Sequence, residues 1–305
     1  MSSRPDPKGW HEATSAFLQS QIMPEVPWPD LVNSISYWSQ NGCAAKHTRS
    51  LSLPIWACLA AGGDMTTAVP LSAYWLLSLL AARILDDLQD GDGAAQPWNM
   101  RGAQQALPIA SGVLAVANLC LAHLQVAGSV IQAIQYRLCV SWLLASRSQA
   151  NPPVTLKLET YLENIIGASG VVFAAMAWSG GRLATDEETT LNRLNAVGYN
   201  MGLRDAIYSD CRDLREDLSR GLYTLPVIYA VSLTEHPTQA HLAALLGNQC
   251  LTPAQVENVC QTLDELEAMK WSYQLAQRFH EQAWAALREL PSRIAVEWWQ
   301  YVVDS

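Results

Sequence analysis

The chain has 305 residues, half of them hydrophobic, and 28 Asp and Glu against 19 Lys and Arg give a net charge of −9. That balance excludes the basic surface that nucleic acid needs, so none is expected as a partner. Seven scattered cysteines without a Cys-x-x-Cys pair fit free, mostly buried thiols in a reducing, cytoplasmic compartment. The first eight residues show no basic-then-apolar leader, so secretion is not expected. Six His without a ligand-type pair argue against zinc, and twelve Trp invite an aromatic-lined cavity.

No repeat, low-complexity stretch or composition break divides the chain, so a single domain over residues 1–305 is expected, with 1–28 as an N-terminal arm. Pro5, Pro7, Pro24 and Pro27 leave that arm partly loose or packed outside, around a helix near 9–20. Helices follow near 29–42, 45–61 and 69–90. The last ends an apolar run in Asp86-Asp87-Leu88-Gln89-Asp90. Asp86 and Asp90 are four apart and share a helix face, so both can point into one cavity. Such carboxylates suit Mg2+, which bridges acids to substrate phosphates. A solvated acidic helix end is the plain alternative, although the helix dipole disfavours acids there.

Gly91-Asp92-Gly93 breaks the chain before helices near 103–125 and 127–149. Residues 106–126 are apolar but interrupted by Asn118, His123 and Gln125, reading as a buried core helix and not a membrane span. Asn151-Pro152-Pro153 breaks again before a helix near 155–178, in which Gly167-Ala168-Ser169-Gly170 marks a helix break or a close approach. Thr185-Asp186-Glu187-Glu188 and Thr252-Pro253-Ala254-Gln255 look like capping boxes opening helices near 186–214 and 253–289. Further helices are expected near 222–233, 238–246 and 291–302. The fold class is all-α, with several helices apolar nearly all round and therefore central.

On the 186–214 helix, Asp205, Ser209 and Asp213 stand at i, i+4 and i+8 and stack on one stripe. Two carboxylates and a hydroxyl suffice for one Mg2+ whose shell is completed by water or phosphate. Arg204, Arg212 and Arg215 lie among them and could hold phosphate oxygens. Alone, this is equally a solvated charged face. Two acidic faces on separate helices of an apolar bundle, meeting at one cavity, would make a diphosphate clamp.

These residues resemble the class I isoprenoid synthase fold, in its trans-prenyltransferase (polyprenyl synthetase) branch. Asp86, Asp87 and Asp90 match the family's Asp-Asp-x-x-Asp motif, and Asp217-Leu218-Ser219-Arg220-Gly221-Leu222-Tyr223-Thr224-Leu225-Pro226 matches its Asp-Leu-x-x-Gly-Lys-x-Thr-Leu-Pro stretch. Lys46-His47-Thr48-Arg49 echoes in part an early Gly-Lys-Arg-x-Arg-Pro segment. The resemblance runs from about residue 46 to 230. It implies antiparallel helices around a deep central cavity, three Mg2+ ions, an allylic prenyl diphosphate substrate and a homodimer.

The departures fall on the acceptor side. Residues 91–97 hold no Arg or Lys where the family has Arg-Arg-Gly, and Ala168-Ser169 stands where it has Lys-Thr. Leu222 replaces the lysine before Thr-Leu-Pro, and Ala206 and Ser209 replace two acids of the second motif. On the diphosphate side, Asp86, Asp87, Asp90 and Asp205 are the expected catalytic acids, with Asp86, Asp90, Asp205, Ser209 and Asp213 as metal ligands. Arg204, Arg212, Arg215, Arg220, Lys46 and Arg49 are the candidate diphosphate clamps.

The Asp205/Ser209/Asp213 spacing also resembles the Asn/Asp-Ser/Thr-Glu triad of class I terpene cyclases, one methylene short at Asp213. The expected reaction is therefore metal-assisted ionisation of a prenyl diphosphate followed by cyclisation, in a cavity lined by Trp75, Ser78, Ala82, Trp142, Ala168, Ser169, Phe173 and Trp178. Each aromatic among them is equally an ordinary core residue. The alternative is a trans-prenyltransferase, elongating with isopentenyl diphosphate or prenylating another acceptor. A third reading, a non-catalytic partner subunit, ranks last because the first acidic motif is retained.

Overall fold

The computed structural model describes residues 6–42, 51–91, 93–100, 102–150, 157–233, 242, 251–290 and 296–297, and no strand occurs among them. The first helices are α1 (Pro7–Phe17), α2 (Pro29–Tyr37), α3 (Leu53–Ala60), α4 (Met65–Asp90), α5 (Ala103–Ala122) and α6 (Gly128–Ala150). They are followed by α7 (Leu158–Ile165), α8 (Val171–Arg182), α9 (Glu188–Arg212), α10 (Leu214–Ser219), α11 (Leu225–Ser232), α12 (Pro253–Glu265) and α13 (Ala268–Arg288). The expected all-α class is what the chain adopts. Its contacts divide into two compact units, one of Met1–Tyr136, Met176–Leu194 and Arg288–Ser305, the other of Arg137–Ala175 and Asn195–Leu287.

In the first unit α4 is the spine, packed against α1, α3 and α5. Leu71, Trp75, Leu77, Leu80 and Ile84 are fully buried along it, each side chain stabilising the fold by about 1.5–3 kcal/mol. Asp64 starts the helix, its carboxylate accepting from the Thr67 backbone N–H at 3.0 Å and hydroxyl at 2.6 Å. Gly91, at φ +72°, ends it by donating its N–H to the Asp87 carbonyl. The described part of the N-terminal arm is packed: Trp10, Leu18 and Ile22 are buried, and the Thr14 hydroxyl donates to Ser72 on α4 at 3.1 Å.

In the second unit Tyr161, Ile165, Leu203, Ile207, Cys211, Leu225, Ile228 and Ala276 form one core cluster around α9. A second cluster joins Leu214 and Leu218 of α10 to Val256, Val259 and Leu263 of α12.

Several boundaries differ from the sequence reading for identifiable reasons. Glu187, not Thr185, caps α9, its carboxylate accepting from the backbone N–H groups of Thr189 at 3.1 Å and Thr190 at 2.7 Å. The Thr252–Gln255 capping box forms as expected. The helix expected over 253–289 breaks at Leu266 and Glu267, where Glu267 adopts φ +51° without a Gly or Pro to announce it. Residues 166–170 do not break the helix; they form a wider π turn between α7 and α8. The expected helices near 238–246 and 291–302, and the start of 45–61, lie almost wholly outside the described residues.

Three helical stretches, Met65–Gln89, Ala103–Ala122 and Leu158–Arg182, are long and apolar enough to cross a membrane by length and composition. The first is largely enclosed by the fold, which accounts for its apolarity without a bilayer. Among the described cysteines, Cys58, Cys120, Cys211 and Cys260 are buried free thiols and Cys139 is exposed.

Candidate active site

The last two turns of α4 sort their acids by helical phase. Leu80, Ile84 and Asp87 share the buried face, whereas Asp86 falls on the open side. The Asp87 side chain is 1% exposed and that of Asp86 is 53% exposed, so neighbouring carboxylates meet different surroundings. Burial of Asp87 is compensated by charge at Oδ1, which has no hydrogen-bond partner among the described residues, and by a hydrogen bond at Oδ2. The Arg83 guanidinium stands 2.7 Å from Oδ1, and the Trp98 indole N–H donates to Oδ2 at 2.9 Å. Arg83 also reaches Asp86 at 3.8 Å. Asp90 closes the helix one turn after Asp86, at the same helical phase.

The chain turns back over Asp87 to bring Trp98 in. Gly93 allows this: its φ is +70°, and a Cβ there would lie 2.5 Å from Asp87 Oδ2. Trp98 is buried and meets the rings of Tyr37 and Trp38 edge-on, both at 6.2 Å.

The second acidic cluster lies on α9 and its continuation. Arg204, itself buried, donates from Nε to Asp205 Oδ1 at 2.8 Å and holds Nη2 at 2.7 Å from the same oxygen. One turn on, the Ser209 hydroxyl donates to Asp213 Oδ2 at 3.1 Å. Arg212 spans that pair, donating to both Asp213 oxygens and to Ser209 Oγ at 3.0 Å each. The spacing expected from sequence thus brings Ser209 and Asp213 into direct contact.

Two acids that the spacing argument passed over are drawn into the same region. Asp210 lies off the Asp205/Ser209/Asp213 stripe, facing the core. Its Oδ2 accepts from the Tyr161 hydroxyl at 2.6 Å and from the Leu225 backbone N–H at 3.1 Å. Burial pushes the Asp210 carboxyl up to about 6, against the pull of those two hydrogen bonds. Asp217 is pushed up to about 7, by burial first and then by the charges of Asp210 and Asp213. A polar residue out of phase on an amphipathic helix, followed by Thr-Leu-Pro, was the available signal for Asp210. Close to Arg204, His280 is held below its ordinary range by burial and by that arginine's charge.

The remaining site candidates fall in both units. Arg215 pairs with Glu257 at 2.7 Å, and Arg220 with Glu216 at 2.6 Å. Lys46 and Arg49 lie outside the described residues. Trp75 and Ser78 are fully buried in the first unit, the Ser78 hydroxyl without a hydrogen-bond partner among the described residues, while Ala82 and Trp178 are half-buried. In the second unit Trp142, Ala168, Ser169 and Phe173 are half-buried. Gly202 lets α9 approach the π turn so closely that a Cβ would lie 2.7 Å from the Ser169 carbonyl oxygen.

The donors fit a hard divalent cation that retains water and phosphate in its shell. They are all oxygens, and they come in small sets. Among the described residues no three His, Cys, Asp or Glu side chains converge, and a hard cation that keeps water and phosphate in its shell needs only one or two carboxylates. The adjacent arginines Arg83, Arg204 and Arg212 balance the acids by charge-assisted hydrogen bonds or ion pairs.

No family model matches the chain. The geranylgeranyl diphosphate synthase of Mycobacterium tuberculosis is 25% identical over 237 residues, covering 71% of this chain and 67% of that protein. Alignments to further curated prenyl synthases span under half of either chain. The geranylgeranyl pyrophosphate synthetase of Pyrococcus horikoshii superposes with a TM-score of 0.84 at 19% identity, over 97% of this chain and 95% of that one. A polyprenyl synthase of Caulobacter crescentus, solved with calcium and isoprenyl diphosphate, gives 0.80 at 18% identity, over 97% and 92%. The chain has the all-α isoprenoid synthase fold of the trans-prenyltransferases.

Proposed function

We propose that the protein is a divalent-cation-dependent trans-prenyltransferase that ionises an allylic prenyl diphosphate and transfers the prenyl group to an acceptor. The observation that carries this reading is the pair of hard-oxygen sets, Asp86 with Asp90 and Asp205 with Ser209 and Asp213, in a fold whose relatives are named as prenyl diphosphate synthases. Bound Mg2+, in our reading three ions, supplies Lewis-acid neutralisation of the departing diphosphate. Asp86, Asp90, Asp205, Ser209 and Asp213 hold the cations. Arg212, exposed and bound to Asp213 and Ser209, is placed to trade that carboxylate for a phosphate oxygen. Buried Arg204 fixes the Asp205 carboxylate in one orientation. We read the chain as a soluble homodimer: α5 carries no charged residue, yet it exposes Leu107 and Leu119.

Cyclisation is the second reading. Residues 91–97 offer no Arg or Lys to an acceptor diphosphate, and Ala168-Ser169 offers none either. The test is incubation with Mg2+ and geranyl, farnesyl or geranylgeranyl diphosphate, with and without isopentenyl diphosphate. Products are identified by gas chromatography–mass spectrometry before and after phosphatase. Longer linear alcohols that need isopentenyl diphosphate and phosphatase establish the transferase. A cyclic product from one diphosphate alone replaces it with the cyclase.

A further inference from the structure

The geometry points to Asp87 as a positioning residue and not a metal ligand: with Arg83 and Trp98 it clamps the 93–98 segment onto the end of α4 and so fixes Asp86 and Asp90. This rests on the proposed function, because Asp86 and Asp90 matter only if they hold a cation.

Three observations carry it. The Asp87 side chain is 1% exposed, with one oxygen 2.7 Å from Arg83 and the other accepting from Trp98 at 2.9 Å. Asp205 and Asp213 also carry arginines, but their side chains are 35% and 41% exposed and keep a side open to a cation, whereas a metal ion on Asp87 would have to enter a closed site and lodge beside the Arg83 charge. Gly93 approaches Asp87 so closely that any Cβ would strike its carboxylate, so the turn is built around this side chain. Trp98 is anchored by Tyr37 and Trp38, and Trp38 donates its indole N–H to the Leu76 carbonyl of α4 at 3.3 Å. The last turn of a helix otherwise frays, and its dipole repels acids. Here the clamp ties it to a buried aromatic group. Partners that orient ligands in this manner are worth 10- to 100-fold in metal affinity in known sites.

The test measures Mn2+ binding to the full chain by electron paramagnetic resonance, with inorganic diphosphate present, alongside Mg2+ titrations of turnover and thermal melts. Trp98→Phe keeps the ring but removes the N–H, and Asp87→Asn keeps an acceptor but removes the charge. Both are expected to fold, to bind Mn2+ about ten-fold more weakly or worse, and to regain most of their turnover as Mg2+ is raised. Asp86→Ala is expected to stay inactive throughout. Wild-type Mn2+ affinity in Trp98→Phe overturns the clamp, as does an Asp87→Asn variant that no Mg2+ concentration restores. Should Trp98→Phe fail to fold, Arg83→Gln is judged by the same criteria. Wild-type binding and turnover in Asp86→Ala would instead overturn the underlying site.

Discussion

The two acidic clusters solve one problem in different ways. Each combines a solvent-reached carboxylate with one turned toward the fold, Asp87 buried and Asp210 partly so, and that inward acid ties down a segment further along the chain. Asp87 holds Trp98, and Asp210 holds the Leu225 N–H at the start of α11. The difference lies in compensation. Asp87 faces the Arg83 charge, whereas Asp210 accepts hydrogen bonds from the uncharged Tyr161 and Leu225 donors. An ion pair offsets desolvation directly, whereas neutral donors offset less, and the Asp210 carboxyl accordingly sits near 6. An acidic motif is thus a mixture of groups with separate tasks, and identical residues one or five positions apart are not interchangeable.

The largest effects should come from the open acids. Asp86→Ala and Asp205→Ala should each lower turnover by at least about 10³-fold, since each removes charge stabilisation at the leaving group. Steady-state assays across a Mg2+ series check this, and near-normal rates would erase the distinction between open and buried acids. Next, Asp210→Ala should destabilise the fold by about 1–3 kcal/mol, because it leaves the Leu225 N–H and Tyr161 hydroxyl without their acceptor. Urea unfolding measures this, and Asp210→Asn, which retains an acceptor, should cost less.

How much of this contrast could be read from the sequence depends on distance along the chain. The Ser209–Asp213 contact follows from helical spacing and was legible, as was the shared helical phase of Asp86 and Asp90. The burial of Asp87 was not, because its partner Trp98 is eleven residues on and arrives through a turn that needs Gly93. Asp210 escaped for the same reason: its donors come from α7 and α11. Helix existence was clear from apolar periodicity, but ends were set by individual side chains. Glu187 displaced Thr185 as the cap, and Glu267 ended a helix by taking a left-handed conformation. Arg215 and Arg220 are diphosphate-clamp candidates in sequence, and spacing did not announce their pairings with Glu257 and Glu216.

Smaller effects sharpen the comparison. Ser209→Ala should raise the Mg2+ needed for half-maximal turnover by about ten-fold while the maximal rate largely holds; an unchanged requirement would leave Asp213 without its neighbour's help. Asp217 has a pH signature. Its folded carboxyl lies near 7 against an ordinary 3.8, so the folded state binds the extra proton between those values. Its contribution to stability is full below about pH 4 and declines as pH rises to about 7. Asp217→Asn, melted in a chelating buffer, should therefore gain most over the parent above pH 7. Arg215→Ala should change neither turnover nor melting, since its pair with Glu257 is exposed on both sides.

The most direct test of the account is release of inorganic diphosphate from an allylic prenyl diphosphate, followed with Mg2+, with a chelator, and in Asp86→Ala and Asp205→Ala. The account predicts release that requires the cation and is lost in both variants. Release that persists with chelator or in either variant, or none from any allylic diphosphate even with isopentenyl diphosphate present, would contradict it.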